Sequence, residues 1–309
     1  MTHDTATATG TQFDFLDSTP GVDTPASALR RTDLVGNIDA PEPVPLDKRL
    51  TGERQTQELL TWLHRFGWLT SRMVAALVFP SASQSWPLAR RLLKKLLADK
   101  LILVRALPQG GDVYLLSVKG ARLLKDATGA NAQSGQALPT GDAIHRACGN
   151  WYLIAQVQAG LGIWSEHEIA AGQAPVQTLN GKQADGLVLH DGGQITWLEV
   201  ENTWKNRPRR QAVVDLATRH LGRDQLTQVG VDAQGSELYL ARLAVVATGV
   251  DSLRSMAATF QESHRLQMAS EACLACVDVA VLPISPSLVP GEMTTGNLWW
   301  DVMQPHAVA

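Results

Sequence analysis

Cysteine is scarce in this chain. Cys148, Cys273 and Cys276 are the three in 309 residues, too few for a disulfide framework and in keeping with a reducing compartment. Cys273 and Cys276 have CxxC spacing, but no second pair completes a zinc site, so they are expected as a buried helical pair. Long apolar runs are missing too: none approaches the ~20 residues that a membrane span needs. The opening MTHDTATATGTQFDFLDSTPG has no basic stretch followed by an apolar one, which excludes a secretory signal. A cytoplasmic protein with no membrane partner is expected. What is present is globular material: 45% of the residues are hydrophobic, and the length allows two domains with cores of their own.

Charge is unevenly distributed. The net value is −3, yet residues 51–128 hold 12 Lys+Arg against 5 Asp+Glu, whereas residues 129–309 hold 11 against 17. A basic segment inside an acidic chain is the electrostatic footprint of a nucleic-acid-binding module. Five regions follow from composition. Residues 1–49, rich in Thr, Asp, Pro and Ala, form a disordered tail. Residues 50–128 are the basic domain, residues 129–142 a Gly/Ala/Gln/Ser-rich linker, residues 143–285 a second domain, and residues 286–309 a C-terminal extension.

Within the basic domain, Leu59, Leu60, Leu63 and Phe66 recur at helical spacing and Gly67 stops the helix. Thr70 is placed to cap a second helix that runs to Phe79-Pro80. A third starts near Ser85 with Pro87 in its first turn. It sets Leu92, Leu93, Leu96 and Leu97 on one side and Arg90, Arg91, Lys94 and Lys95 on the other. Leu101–Arg105 and Val113–Leu116 then form a two-stranded ribbon, and a helix over Ala121–Asp126 closes the module. Three helices followed by a ribbon is the order of a winged helix, in which the third helix enters the major groove and the ribbon touches flanking backbone. Arg105 and Lys119 are the candidate backbone contacts beside the third helix. The competing reading, that these cations only solvate an exposed face, explains neither the element order nor the concentration of charge.

In the second domain a helix (residues 143–159) and a strand (residues 162–169, carrying Glu166 and Glu168) lead into GKQADGLVLHDGGQITWLEVENTWKNRPRR. Leu187–His190 and Ile195–Val200 are strand-like, and Asp191-Gly192-Gly193-Gln194 is a hairpin turn signal. Glu199 and Glu201 point the same way because strand side chains alternate, and pairing across the hairpin can bring Asp185 beside them. Converging carboxylates repel unless a cation or proton intervenes, which suggests a site for a hard divalent ion, Mg²⁺ or Mn²⁺. Lys205, Arg207, Arg209 and Arg210 follow at once, so acids that can hold metal adjoin cations that can hold phosphate. Trp204 among them is a candidate platform for an unpaired base, extending the partners from double-stranded to single-stranded DNA. Helix, strand and mixed-sheet order together predict an α/β (α+β) protein.

These residues resemble a known pattern. Asp185 at the start of one core strand and Glu199 on the next match the PD-(D/E)xK signature of restriction-endonuclease-like domains, with Glu201 standing where that signature has Lys. Some enzymes of that superfamily use Glu-x-Glu, and Lys182 or Lys205 can supply the missing cation from a neighbouring position. With the winged helix ahead of it, a helix opening on His145, Gln183-Ala184 before Asp185, and the run Trp197-Leu198-Glu199-Val200-Glu201-Asn202, the chain resembles the replication-relaxation family over residues 55–285. That family is similar to MobC-type mobilisation relaxases. The resemblance implies that Asp185 and Glu199 hold Mg²⁺, that Glu201 is a further ligand or general base, and that His145 orients the phosphate or takes a proton. No His-x-His occurs among the eight histidines and tyrosine is confined to Tyr114, Tyr152 and Tyr239, which disfavours the usual tyrosine relaxase.

Three readings stay open on the sequence. The first is a metal-dependent DNA nickase of a plasmid or integrative element, acting in replication or mobilisation as a monomer or homodimer alongside other DNA-processing proteins of the element. The second is a non-catalytic accessory factor or repressor with a decayed nuclease core. The third is a protein-interaction adaptor that binds no DNA.

Overall fold

The computed structural model describes residues 47–108, 110–138, 142–202 and 207–295. Residues 1–46 of the expected tail, Trp204, Lys205 and the last part of the C-terminal extension lie outside these. Helix α1 (Lys48–Phe66) begins where Asp47 accepts a hydrogen bond from the Arg49 amide, and buries Leu59, Leu60, Leu63 and Phe66. It ends at Gly67. After strand β1 (Trp68–Leu69), Thr70 caps α2 (Ser71–Val78) by accepting from the Met73 amide. Helix α3 (Ser85–Ala98) turns Ala89, Leu92, Leu93 and Leu96 inward and leaves Arg90, Arg91, Lys94 and Lys95 exposed. Its apolar stripe is wide enough to fix the helix against the core and to leave the opposite face wholly cationic.

Strands β2 (Ile102–Ala106) and β3 (Asp112–Leu116) pair antiparallel, and β1 adds to β3, giving a sheet of order β1-β3-β2. Helix α4 (Val118–Thr128), capped by Ser117, closes this part. A Cβ on Gly120 would stand 2.0 Å from the Leu101 carbonyl oxygen, so only glycine lets α4 approach that backbone. The helix is longer than the expected Ala121–Asp126 because the Ser117 hydroxyl accepts from the Gly120 amide and starts it one turn earlier.

The segment expected as a linker runs along β3. Ser134 Oγ donates to the Leu116 carbonyl, and the Arg105 guanidinium donates to the carbonyls of Gln136 and Leu138. The two halves it joins share one apolar core, in which Leu59, Phe66, Trp68 and Val74 cluster with Ala147, Leu153, Ile163 and Val200. They are therefore packed together rather than strung on a tether.

The second half is a mixed sheet between helical layers. Its elements are α5 (Ala143–Gln158), β4 (Gly162–Ser165), α6 (Glu166–Ala170), β5 (Gly186–Leu189), β6 (Gln194–Glu201), α7 (Arg207–His220), β7 (Thr227–Val231), β8 (Glu237–Ala247), α8 (Val250–Arg265), α9 (Glu271–Ala275), β9 (Val277–Val281) and β10 (Thr294–Thr295). The strand order is β10-β9-β8-β6-β5-β4, with β7 antiparallel on β8. Strands β6, β8 and β9 are parallel, connected through α7 and α8, as parallel neighbours require. The α5 face carries Val188, Leu198, Val200 and Val246. The opposite face carries Leu187, Ile195, Trp197 and Val245 under Val213, Leu216, Met256 and Phe260 of α7 and α8. Covered on both faces, β6 is buried at every residue after Gln194. This is a mixed α/β protein, and no described helix is long and apolar enough to cross a membrane.

One strand expectation is corrected. The strand predicted over residues 162–169 stops at Ser165, and Glu166–Ala170 is helical. Ser165 Oγ accepts from the Glu168 amide while the Glu168 carboxylate accepts from the Ser165 amide, a capping box that ends the strand and begins α6. Glu166 and Glu168 thus belong to a helix. Of the pair expected to be buried and helical, Cys273 is buried in α9, whereas Cys276 is its half-buried C-cap; both thiols are free, and burial pushes the Cys273 thiol up to about 11.

Candidate active site

Asp185 stands one residue before β5, whose register pairs Gly186 with Leu198. Continued by one step, that register sets Asp185 opposite Glu199. The Asp185 amide donates to the Leu198 carbonyl at 3.0 Å, and its Oδ2 accepts from the Val200 amide at 2.7 Å. The carboxylate therefore extends the ladder where the β5 backbone leaves it. Its other oxygen, Oδ1, meets His145 Nε2 at 3.1 Å. His145 is brought there by the α5 N-terminus, where Asp142 Oδ1 accepts from both the His145 amide (3.1 Å) and Asn202 Nδ2 (2.9 Å). Asp142 thereby staples the start of α5 to the end of β6. This residue escaped the sequence reading, although an Asp ahead of an apolar helix is a cap signal.

Glu199 lies on the other face, with Trp197. It is 1% exposed, accepts from Trp197 Nε1 at 2.7 Å and pairs with Lys182 Nζ at 2.8 Å. A buried carboxylate is tolerated because an ammonium and an indole N–H face it. Lys182 is positioned by a tight turn in which Leu179 and Lys182 exchange backbone hydrogen bonds through left-handed Asn180 and Gly181. Of the two lysines named from the sequence as substitutes at the Glu201 position, Lys182 reaches Glu199; Lys205 lies outside the described residues. Glu201 is also 1% exposed, and its carbonyl accepts from the Thr248 amide.

Asp185 thus meets His145 at the start of α5, and Glu199 meets Lys182. Among the described residues no group of three or more His, Cys, Asp or Glu side chains stands at metal-holding geometry. Glu166 adjoins the Asp185 side. Burial raises its pKa, the Arg146 guanidinium opposes that rise, and Asp185 adds to it. Cys148 is no competing nucleophile, because burial, reinforced by Asp185, pushes its thiol up to about 12.

The expected DNA contacts divide. Arg90, Arg91, Lys94 and Lys95 form one exposed face on α3. Arg105 is committed to the Gln136 and Leu138 carbonyls, and Lys119 Nζ donates to the Asp99 carbonyl at 2.9 Å. Arg207, Arg209 and Arg210 open α7, where Arg210 Nε donates to Thr259 Oγ1 at 3.1 Å.

The C-terminal turn of α1 meets this site through a polar seam. Arg65 Nε pairs with Glu168 at 2.7 Å, Ser165 Oγ donates to the Arg65 carbonyl, and Arg146 donates to the Phe66 carbonyl at 3.4 Å while its guanidinium lies over Trp68. Gly67, at φ 76°, leaves no room for a Cβ, which would fall 2.9 Å from His167 Cγ. His167 is held neutral: burial, then Arg146 and His64, pull its pKa down to about 4. A depressed histidine means that the unfolded chain binds the extra proton between the ordinary value and 4, so stability falls as pH drops through that window. We expect His167→Gln to flatten the slope of unfolding free energy between pH 6.5 and 4, by up to about 1.4 kcal/mol per pH unit. Urea titrations of the two proteins across that range check this; parallel slopes would count against it.

Comparison with protein-family models, curated proteins and solved structures finds no match to this chain.

Proposed function

We propose that this protein binds double-stranded DNA through a winged helix formed by residues 48–128 and acts on it, within a replication or mobilisation system, as a metal-dependent nuclease of restriction-endonuclease-like design. The observation that carries the proposal is the sheet end itself, where Gly186 of β5 pairs with Leu198 of β6, one step from Asp185 and Glu199, and Lys182 stands 2.8 Å from Glu199. Lys182 thereby sets an ammonium beside Glu199, although the sequence spacing puts Glu201 in the position of the usual lysine. The order α1, β1, α2, α3, β2, β3 with its β1-β3-β2 sheet supports the DNA-binding half.

The donor set suits a hard cation. Mg²⁺ is commonly held by one or two carboxylates together with substrate phosphate and water. Asp185 and Glu199 would provide those carboxylates, with Glu201 as a third oxygen donor. When bound, such an ion polarises the scissile phosphate and lowers the pKa of a water. The protein's own groups do the rest. Lys182 places positive charge where charge gathers on the phosphate. His145, oriented by Asp185, stands at hydrogen-bond distance to take or hold a proton. The exposed α3 cations anchor the duplex.

A nicking assay tests this. Supercoiled plasmid carrying the DNA that flanks the gene is incubated with protein and Mg²⁺ or Mn²⁺. Open-circle product is expected, reduced roughly a hundredfold or more by Glu199→Gln or Asp185→Asn, with DNA affinity retained. DNA binding without nicking would leave the non-catalytic accessory factor, a reading favoured by Glu201 in place of lysine. Nicking that survives both substitutions would sink the site assignment.

A further inference from the structure

We infer that Trp86 organises Arg72 and Arg90 into a clamp for the phosphodiester backbone of duplex DNA at the N-terminal ends of α2 and α3. The inference rests on the DNA-binding reading above and adds two residues to it. Trp86 and Arg90 are four apart on α3 and share a face; Arg72 is the second residue of α2. The Trp86 ring is 38% exposed and is fixed by its Nε1, which donates to Ser71 Oγ at 3.1 Å. The guanidinium carbon of Arg72 stands 4.6 Å from the ring centroid, and that of Arg90 stands 5.2 Å from it.

Two like charges are thus gathered at one indole, separated by no more than about one Debye length at ordinary salt. The ring quadrupole attracts each of them, and a guanidinium resting on a ring keeps its N–H fork free for bidentate contact with phosphate oxygens. Neither helix that carries them contributes an acid. The helices read SRMVAALV and SWPLARRLLKKLLA, with five cations and no acid. Among the described residues none of Arg72, Arg90, Arg91, Lys94 and Lys95 forms an ion pair. Some exposed arginines elsewhere do pair, Arg49 with Glu53, Arg254 with Asp251 and Arg265 with Glu262, whereas Arg54, Arg122, Arg219 and Arg223 are exposed without an ion pair among the described residues, so it is the gathering of two guanidiniums on one indole that sets this face apart. The α2–α3 face carries one sign of charge, which suits an outside anion. A repeating anion satisfies a row of cations running from Arg72 and Arg90 along α3 to Lys94 and Lys95, which favours a nucleic-acid backbone over a single phosphate.

The test is a salt titration of a labelled duplex with the full chain. Arg72→Ala and Arg90→Ala are each expected to lower the slope of log affinity against log salt by about one, and to weaken binding roughly three- to tenfold near physiological salt. Trp86→Ala is expected to weaken binding comparably and Trp86→Phe to restore it, since a phenyl ring still seats a guanidinium. Arg254→Ala on α8 should leave the slope unchanged. Wild-type slopes in both arginine variants, with DNA bound, would overturn the clamp and leave the DNA-binding reading standing. Failure of Trp86→Phe to recover affinity would remove the ring from the clamp. A wild-type chain that binds no duplex even at low salt would take the reading and the clamp down together.

Discussion

Replacing Lys182 by methionine is expected to cost about 3 kcal/mol of stability, the usual loss when one partner of a buried ion pair is removed, and to abolish nicking. The ammonium is 23% exposed in its side chain and the Glu199 carboxylate only 1%, so the two partners are not equivalent. Without Lys182 the carboxylate stays buried beside Trp197 Nε1 and loses the ammonium that offsets part of its desolvation. Without the Glu199 charge, Lys182 turns to water. Glu199→Gln is therefore expected to be the milder change, within about 1–2 kcal/mol of wild type, because the amide oxygen still accepts from the indole. The double variant Lys182→Met/Glu199→Gln should recover most of the stability lost in Lys182→Met while remaining inactive. Urea unfolding of the four proteins gives the coupling energy directly. A loss below about 1 kcal/mol in Lys182→Met would place the pair with exposed salt bridges and remove the physical reason for a buried carboxylate at this sheet end. The stability half of this expectation holds whether or not the protein cuts DNA, so the two readouts separate structure from catalysis.

Much of the fold was legible where a local pattern and its tertiary use coincide. Leu59, Leu60, Leu63 and Phe66 form a helical stripe in the sequence and are buried on α1. The Asp191-Gly192-Gly193 turn lies between β5 and β6 as expected, with Gly192 and Gly193 both at positive φ, which their lack of a Cβ allows. The amphipathic pattern of α3 likewise separates its buried leucines from its exposed cations. Where two local signals compete, the sequence is harder to read. Ile-Trp-Ser-Glu-His-Glu-Ile looks strand-like in composition, yet Ser165 and Glu168 cap each other and turn the chain into α6. Strand β7 carries no alternation, because it lies at the sheet margin with Gly230 against the Pro175 carbonyl.

The sequence offered the acids together with Lys182, Lys205 and His145 as candidates, but not which cation faces which acid. Glu199 and Glu201 announce themselves by following an apolar run, since a carboxylate there needs a reason. That Lys182 is the cation facing Glu199 depends on a four-residue turn seventeen positions upstream, and that Asp142 ties His145 to Asn202 depends on a contact spanning |i−j|=60. Pairings of this range are set by how sheet and helix layers close, which no window of local periodicity contains. Continuity between the halves was hidden for the same reason: the Gly/Ala/Gln/Ser composition of residues 129–142 is that of a flexible tether, while Ser134, Gln136 and Leu138 are held by β2 and β3.

Glu168→Ala is expected to be the most disruptive single change at the seam between those halves, costing about 3–5 kcal/mol as a broken buried pair with about 1 kcal/mol of lost capping included. The side chain, 9% exposed, serves two elements at once. Its Oε1 meets Arg65 Nε at 2.7 Å and its Oε2 accepts from the Ser165 amide at 2.8 Å. Arg65 in turn donates to the Ile163 carbonyl, so α1, β4 and α6 share one polar junction within the boundary between the halves. Removing the carboxylate leaves the guanidinium without its anion and the Ser165 amide without its acceptor. Glu168→Gln separates the two roles, because its amide oxygen can still close the capping box; a loss of about 2 kcal/mol is expected from the charge alone. Arg65→Met removes the buried cation but leaves the anion, and should cost as much as Glu168→Ala; the double Arg65→Met/Glu168→Met should cost less than either, as an apolar replacement of both partners does. Unfolding followed by indole fluorescence and by far-ultraviolet circular dichroism reports whether the halves still melt together. Coincident transitions with a loss near 1 kcal/mol or less in Glu168→Ala would show that the shared apolar core alone joins them, whereas separated transitions would mark Glu168 as the group that makes the α1–α4 half and the sheet half one cooperative unit.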